Sequence, residues 1–481
     1  MLKLIFKQAN WSVLGAVFGF FVGFFVKIYL IDIVGLEAWG KYVIAQTFSS
    51  FAETILSLGI PFVIIKFVPS FIEHNKDKVS RIANIFIKYS VLVGGSFLVF
   101  IYFFSELINK YIYSDISGLK LILIIMCVHV PISMLFGVLI SLYRSILKIK
   151  EIVLYGTFVS VTLRAVLTFI VFQFTDDIVS FIIIEVFVQM MVLFILLYLF
   201  NKNELLLFVP SEYKEIAYDT EIITYGKRMF YNSVVAFISA QALSFIITIT
   251  LPSEDVGAYN ILLSISALTT FLLVNLNKVF APAISKLYHE GNFSELNRLY
   301  QKTTFLINFL TIPLVVIITV FSDEILALYT NEMLEYKKYL FFMLLGGMLS
   351  LAAGSSGTLM IMAGLEKQNL LIQIIRAFLL IVLSFLLIPI YGMASVVLLY
   401  VLFMLFVNVC QLFYIKSVVN VSPFSYNLVK LFVLTSITMY FALNQNLTFD
   451  FMHFILFPIM IYVLYLLFMF RPIKNLIKEL R

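Results

Sequence analysis

The chain has 481 residues, of which 62% are hydrophobic and only 12% charged, and its mean hydropathy is +1.05. A soluble globular protein holds about 45–50% apolar and 25% charged residues, so this composition excludes a water-soluble domain and implies a polytopic membrane protein. The formal charge of +6 reflects a clustering of Lys and Arg in alternate gaps, which is a topology signal and implies no nucleic-acid partner.

Fourteen apolar runs follow one another, at 11–34, 41–67, 84–106, 119–143, 152–174, 178–200, 229–250, 258–280, 302–322, 338–363, 369–390, 393–415, 426–445 and 449–470. About 20 apolar residues in a helix cross a ~30 Å hydrocarbon core with every backbone group satisfied internally. A barrel would show alternating segments of about 10 residues instead. The expected fold is therefore all-α, with about 14 transmembrane helices. The first run is too long for a signal-peptide core and ends in no small-residue cleavage site, so it is expected to be retained.

The first run reads "GAVFGFFVGFFVK". Gly15, Gly19, Gly23 and Lys27 recur every four residues and share one helix face, drifting about 40° per step. Such a stripe lets a neighbour approach closely and leads to a cation. It serves either helix packing, with Lys27 snorkelling outward, or the lining of a cavity. The second run carries Gln46, Ser49, Glu53 and Ser57 as a polar stripe. Glu53 is central enough to partner Lys27, to carry a proton, or both. The fifth and sixth runs hold Arg164 and Glu185 at similar depths on antiparallel helices, which favours a salt bridge. The eleventh holds Arg376, with no acidic residue in the twelfth. An ionisable group at a helix centre costs about 2.5–3.5 kcal/mol on insertion scales and normally faces a bundle interior or a wet cavity. A planar guanidinium suits phosphate oxygens, so Lys27, Arg164 and Arg376 are the candidate anion-binding cations, with Glu53 and Glu185 as candidate ion carriers or charge partners. The tenth run contains "GGMLSLAAGSSGT", Gly346 to Thr358, where either neighbours pack very closely or the helix bends. The Phe residues, 51 in number, read as lipid-facing bulk.

Orientation follows from counting. With the N-terminus inside, and residues at run ends counted to the adjoining gap, 25 of the 33 Lys and Arg fall inside, 5 outside and three (Lys27, Arg164 and Arg376) deep within helices. This is the positive-inside pattern, and it places both termini in the cytoplasm. The longest outside gap, about 322–337, is too short for a domain. The expected organisation is an N-terminal lobe over 1–200, a cytoplasmic linker over 201–228, a C-terminal lobe over 229–416, an extra helix pair over 426–470 and a basic tail over 471–481.

Two echoes divide the chain further. "GLEAWGKY" from Gly35 returns as "LPSEDVGAY" from Leu251, with Gly40 and Gly257 offset by 217. "LRAVLTFIV" with Arg164 returns as "IRAFLLIVL" with Arg376, offset by 212. Helices 1–6 and 7–12 are thus expected to be parallel repeats about an axis along the membrane normal, although Gly and aromatic residues also mark membrane interfaces generally.

Chemistry of the enzymatic kind has little support. His74, His129, His289 and His453 lie far apart, without metal-ligand spacing, and neither a P-loop nor a G-x-S-x-G occurs. Cys127 and Cys410 lie within apolar runs and imply no disulfide framework. No cofactor, metal or catalytic residue is expected.

The stretch "VGLEAWGKYVIAQTFSSFAETILSLGIPFVIIKFVPSF", through Gly35, Glu37, Gly40, Tyr42, Leu58, Gly59, Lys66 and Pro69, resembles the opening of the polysaccharide-exporter branch of the multidrug/oligosaccharidyl-lipid/polysaccharide (MOP) flippase superfamily. The Wzx-type O-antigen flippases belong to that branch. The resemblance implies two six-helix lobes and a flippase for a polyprenyl-pyrophosphate-linked oligosaccharide in the bacterial plasma (inner) membrane, working by alternating access through a polar cavity between lobes. H+ or Na+ and other polysaccharide assembly proteins are the implied further partners. A lipid II flippase is a narrower variant of the same reading. A cation-coupled multidrug exporter of the superfamily and a membrane glycan polymerase or ligase are the alternatives. The first would want an acidic cavity, whereas the five intramembrane charges sum to +1; the second would want a long outside loop.

Overall fold

The computed structural model describes residues 2–72, 76–203, 220–444, 451–470 and 472. Most of the expected linker, nearly all of the basic tail and His74 lie outside the described residues. Those residues are predominantly helical, without a strand among them. Eleven helical stretches are long and apolar enough to cross a membrane, and three shorter apolar helices accompany them. Since the stretch Leu14–Leu56 covers the first two runs, each of the fourteen runs has a helical counterpart.

The chain divides into two compact units, Met1–Gly257 and Ala258–Arg481. The first unit holds α1 (Leu2–Leu56), α2 (Ile60–Ile72), α3 (Lys76–Ile112), α4 (Leu119–Cys127), α5 (His129–Ser145), α6 (Ile149–Glu151), α7 (Ser160–Val171), α8 (Ile178–Asn203), α9 (Thr220–Thr250) and the first turn of α10 (Ser253–His289). A π-helical stretch, Ile152–Val159, joins α6 to α7. Between the first two runs no loop intervenes: helical geometry is broken only at Gly35, with φ 81°, and resumes at once. Within the second run the chain breaks between Leu56 and Ile60, where Leu58 and Gly59 both take positive φ. The core of this unit joins α2, α3, α5 and α8 through Ile64, Val68, Ala83, Leu142, Tyr143 and Leu196, all essentially inaccessible. The Tyr143 hydroxyl donates to the Leu196 carbonyl at 2.9 Å, so even the polar tip of this buried ring is satisfied.

The two echoed motifs meet in this unit. A Cβ built on Gly257 would stand 2.6 Å from the Leu36 carbonyl oxygen and 3.1 Å from the Gly40 nitrogen. One built on Gly40 would fall still closer to the Ser253 carbonyl. Glycine at both positions lets α1 and the start of α10 cross backbone to backbone, the close approach that small residues permit in membranes. Gly59, in the break between α1 and α2, packs against the backbone of Met229 and Phe230 in α9.

The second unit holds the rest of α10, α11 (Phe293–Val320), α12 (Ser322–Ala327), α13 (Lys337–Leu351), α14 (Ser356–Met362), α15 (Glu366–Tyr391), α16 (Met393–Tyr414), α17 (Tyr426–Asn444) and α18 (Phe451–Phe468). The extra pair α17 and α18 packs on α11, with Phe309, Ile312, Leu431, Phe457 and Tyr465 in one cluster. Large exposed side chains such as Phe25, Phe103, Phe174, Phe378 and Phe413 stud the outer faces, as expected of surface in contact with lipid tails.

Candidate functional site

Tyr42, Gln46, Ser49 and Glu53 are spaced four, three and four residues apart along the second half of α1, so they share one face. That face meets Arg164 on α7, Glu185 and Gln189 on α8, and His129 and Ser133 on α5. Each of the latter two pairs is one turn apart on its own helix.

Near Glu185 the partners fill both carboxylate oxygens. Arg164 Nη1 donates to Oε1 at 2.7 Å, and the Tyr42 hydroxyl donates to Oε2 at 2.8 Å. Gln46 Nε2 donates in turn to the Tyr42 hydroxyl at 3.0 Å. The Glu185 side chain is 11% exposed and that of Arg164 32%. Both oxygens of the sheltered carboxylate are thus satisfied, the condition under which a buried charge is tolerated. Lys27 joins from the other side. Its Nζ lies 5.3 Å from the centre of the Trp39 ring, and Trp39 is stacked on Tyr42 with ring centroids 4.7 Å apart. Lys27, Trp39, Tyr42, Glu185 and Arg164 are therefore one contiguous series.

Around Glu53 the chemistry differs. Its carboxyl group lies within electrostatic reach of the Ser133 hydroxyl. Ser133 Oγ also accepts from Gln189 Nε2 at 3.0 Å and lies 3.1 Å from His129 Nδ1. A hydroxyl has one proton and two lone pairs. With Glu53 ionised, Ser133 donates to Glu53 and receives the His129 Nδ1 proton. With Glu53 protonated, Glu53 donates to Ser133, which donates to a bare Nδ1. Either state gives Ser133 one donated and two accepted hydrogen bonds, so the serine accommodates both protonation states of Glu53.

The glycine stripe of α1 divides in two. A Cβ on Gly15 would stand 2.7 Å from Val153, and one on Gly19 would stand 3.4 Å from Thr157, both on the π-helical stretch. Gly23 meets nothing within 4 Å. The stripe is thus packing at its N-terminal part, at Gly15 and Gly19, and open at Gly23, one turn before Lys27.

In the second unit Arg376 is half-buried on α15. Nη1 donates to Gln373 Oε1 at 3.3 Å, the hydroxyls of Tyr259 and Tyr400 lie within electrostatic reach, and Nε is buried without a partner. No carboxylate pairs with it among the described residues. The register of the echoes is informative: an offset of 217 carries Tyr42 to Tyr259, and an offset of 212 carries Arg164 to Arg376 but Glu185 to the buried Val397. Arginine and tyrosine recur, and the neutralising carboxylate does not.

The tenth run also proves to be broken. Between α13 and α14 the chain leaves helical geometry, with Gly354 at φ 58° against Thr304. Neutral polar groups gather at this break. Ser356 donates to Gln411 Oε1 at 2.7 Å, Gln411 to Asn369 at 2.9 Å, and Asn308 to the Leu351 carbonyl at 2.8 Å. Both readings of its small residues hold, since a Cβ on Gly346 would stand 2.8 Å from Val401. This network and the His129–Ser133–Gln189 cluster escape sequence reasoning, because single neutral residues within apolar runs gain meaning only from their neighbours in space.

The model of the family described as "Polysaccharide biosynthesis protein" matches residues 32–338, well over half of the chain. The chain belongs to this family. As a member of it, the chain is also similar to solved structures of MOP-superfamily flippases and transporters. The structure described as lipid II flippase MurJ in an inward closed conformation superposes with a TM-score of 0.75 at 18% identity, covering 97% of this chain and 99% of that one. An inward-facing multidrug resistance MATE family transporter gives 0.64 at 13% identity, covering 82% and 98%. A MOP superfamily transporter from Pyrococcus furiosus, described as having a binding pocket of reversed polarity, gives 0.57 at 13%, covering 92% and 97%. At these identities the likeness is one of fold. No curated protein sequence matches the chain. The family member is thus a multi-pass membrane protein of the MOP flippase fold.

Proposed function

We propose that this protein flips a polyprenyl-pyrophosphate-linked oligosaccharide across the bacterial plasma (inner) membrane by alternating access, for O-antigen or capsule assembly, with both termini in the cytoplasm. The observation that carries the reading is Arg376. It is a half-buried guanidinium with a buried, unpartnered Nε and no carboxylate beside it among the described residues, in a member of a polysaccharide biosynthesis family. An arginine in that condition suits a phosphate oxygen, which supplies charge and planar acceptors together. Lys27, beside open space at Gly23, is the second substrate cation. Arg164 is held by Glu185 and takes a positioning role before a binding one. The Glu53–Ser133–His129 triad is the proposed point of ion coupling, with H+ as the ion, because its two hydrogen-bond polarities differ by one proton.

The test is complementation of a deletion strain. Arg376→Ala and Lys27→Ala should each lower surface glycan at least tenfold at equal membrane abundance, and Arg376→Lys should retain part of it. If both alanine variants restore surface glycan fully, the site assignment fails. The fold is shared with MATE transporters, so drug susceptibility is scored in parallel. A change in susceptibility with unchanged glycan would favour an exporter. Loss of viability on deletion would favour lipid II as cargo.

A further inference from the structure

The fourth apolar run is two helices, α4 and α5, which meet at Val128. Pro131 has no N–H, so the Cys127 carbonyl lacks the hydrogen bond that would carry α4 into α5. α4 is therefore a lever of nine residues with a joint at its C-terminal end. Its other end hangs on a strained loop. Ser114 and Asp115 take φ of 56° and 60°, a region that non-glycine residues rarely adopt. The charge count assigns this loop to the outside.

The two faces beneath the lever do not match. α4 packs on α3 and buries Leu119, Ile122, Leu123 and Met126, all apolar. The outer half of α3 buries Ser105 and Asn109, 0% and 6% exposed, and Tyr113 just beyond the helix is 2% exposed. These three recur every four residues and form one line. The Tyr113 hydroxyl lies within electrostatic reach of Cys127 on α4 and of Thr248 on α9. Ser105 Oγ, Asn109 Oδ1 and the Tyr113 hydroxyl are each buried without a hydrogen-bond partner among the described residues. Ser90, equally buried on the same helix, instead donates to the Phe86 carbonyl at 2.9 Å.

A polar group buried without a partner has lost its hydration and gained nothing in return. Three in a row favour any state in which water reaches them. The fastenings on the other side are light. Asn109 Nδ2 donates to the Ile116 carbonyl at 3.0 Å and to Asp115 Oδ1 at 3.3 Å. Lys120 pairs with Glu106 across the seam at 2.8 Å, with both side chains at least half exposed, where an ion pair holds weakly.

We propose that α4 is a lid at the outer end of the first unit, which swings about Val128 and Pro131 and lets outside water reach Tyr113, Asn109 and Ser105. The lid rests on the fold alone and holds whatever the cargo.

The experiment uses the full chain in detergent with Cys127→Ala and Cys410→Ala, and a single reporter, Leu119→Cys, at the moving end. Leu119 is fully buried, so its maleimide labelling rate follows the open population. The reporter should label faster than Ser90→Cys in the same background, which only wider unfolding exposes. Removing one unmatched buried hydroxyl should slow labelling at least about fivefold, in Ser105→Ala and again in Tyr113→Phe. Ser90→Ala, which removes a matched hydroxyl, should leave the rate unchanged. Glu106→Gln should raise it by up to about fivefold. Labelling no faster than at Ser90→Cys overturns the proposal. So does an unchanged or faster rate in both Ser105→Ala and Tyr113→Phe, or an equal slowing in Ser90→Ala.

Discussion

The glycine crossing between the echoed motifs supports a graded prediction. Replace Gly257 by alanine and the new Cβ stands 2.6 Å from the Leu36 carbonyl oxygen, where ordinary contact begins at 3.4 Å. Two backbones must part by about 0.8 Å, and no rotamer change relieves the clash because the opposing atoms are main chain. Overpacking of this kind costs about 1–3 kcal/mol. Gly40→Ala meets the Ser253 carbonyl at closer range and should cost more. Gly23→Ala is the control, since nothing lies within 4 Å and alanine improves helix propensity by up to about 1 kcal/mol. The assay has two readouts. The first is the apparent melting temperature of the purified full chain, expected to fall in the order Gly23→Ala, Gly257→Ala, Gly40→Ala. The second is the maleimide labelling rate of Ser253→Cys in a background lacking Cys127 and Cys410. Ser253 is 7% exposed, and labelling should accelerate when Gly40→Ala opens the crossing. If Gly40→Ala melts and labels like the parent, the backbone contact described here is wrong.

Three further outcomes are expected. Glu185→Gln strands the Arg164 charge and should destabilise the chain by about 3 kcal/mol, the lower end for a buried pair because Arg164 is 32% exposed; adding Arg164→Gln should recover much of the loss, and a double-mutant cycle by thermal unfolding checks it. Gly354→Ala imposes a side chain on a residue at φ 58° packed against Thr304, so it should cost at least about 1–2 kcal/mol, and Thr304→Ala should relieve only the contact part of that cost. Reporter fusions should read inside after Lys150 and outside between Asp176 and Asp177; the swapped readout would reverse the orientation argument, and the same side for both would contradict a crossing between them.

Much of the fold was legible because the membrane leaves the backbone few options. Every apolar run has a helix, and the break at "LSLGIP" and the broken tenth run fall where glycine allows positive φ. The gap before Trp39 was less legible. It reads as a loop because Glu37 and Lys41 interrupt the apolar pattern, yet these two pair at 2.7 Å one helical turn apart, so the charges support helix and only Gly35 turns the chain. The candidate site was legible in its charges and opaque in its partners. Arg164 and Glu185 sit on consecutive helices at matching depth, which sequence can express. The partner of Glu53 is Ser133, 80 positions away, and nothing in a serine within an apolar run announces that contact. Tyr42 read as an interface aromatic, whereas its hydroxyl caps Glu185.

The central claim is transport of a lipid-linked glycan, and one measurement tests it most directly: the leaflet in which lipid-linked oligosaccharide accumulates after deletion of the gene, with complementation as control. The account predicts build-up on the cytoplasmic leaflet, loss of surface glycan, and rescue by the parent but not by Arg376→Ala. Single repeat units appearing on the outer leaflet at normal levels, present but not polymerised, would contradict it and place the protein's action after translocation.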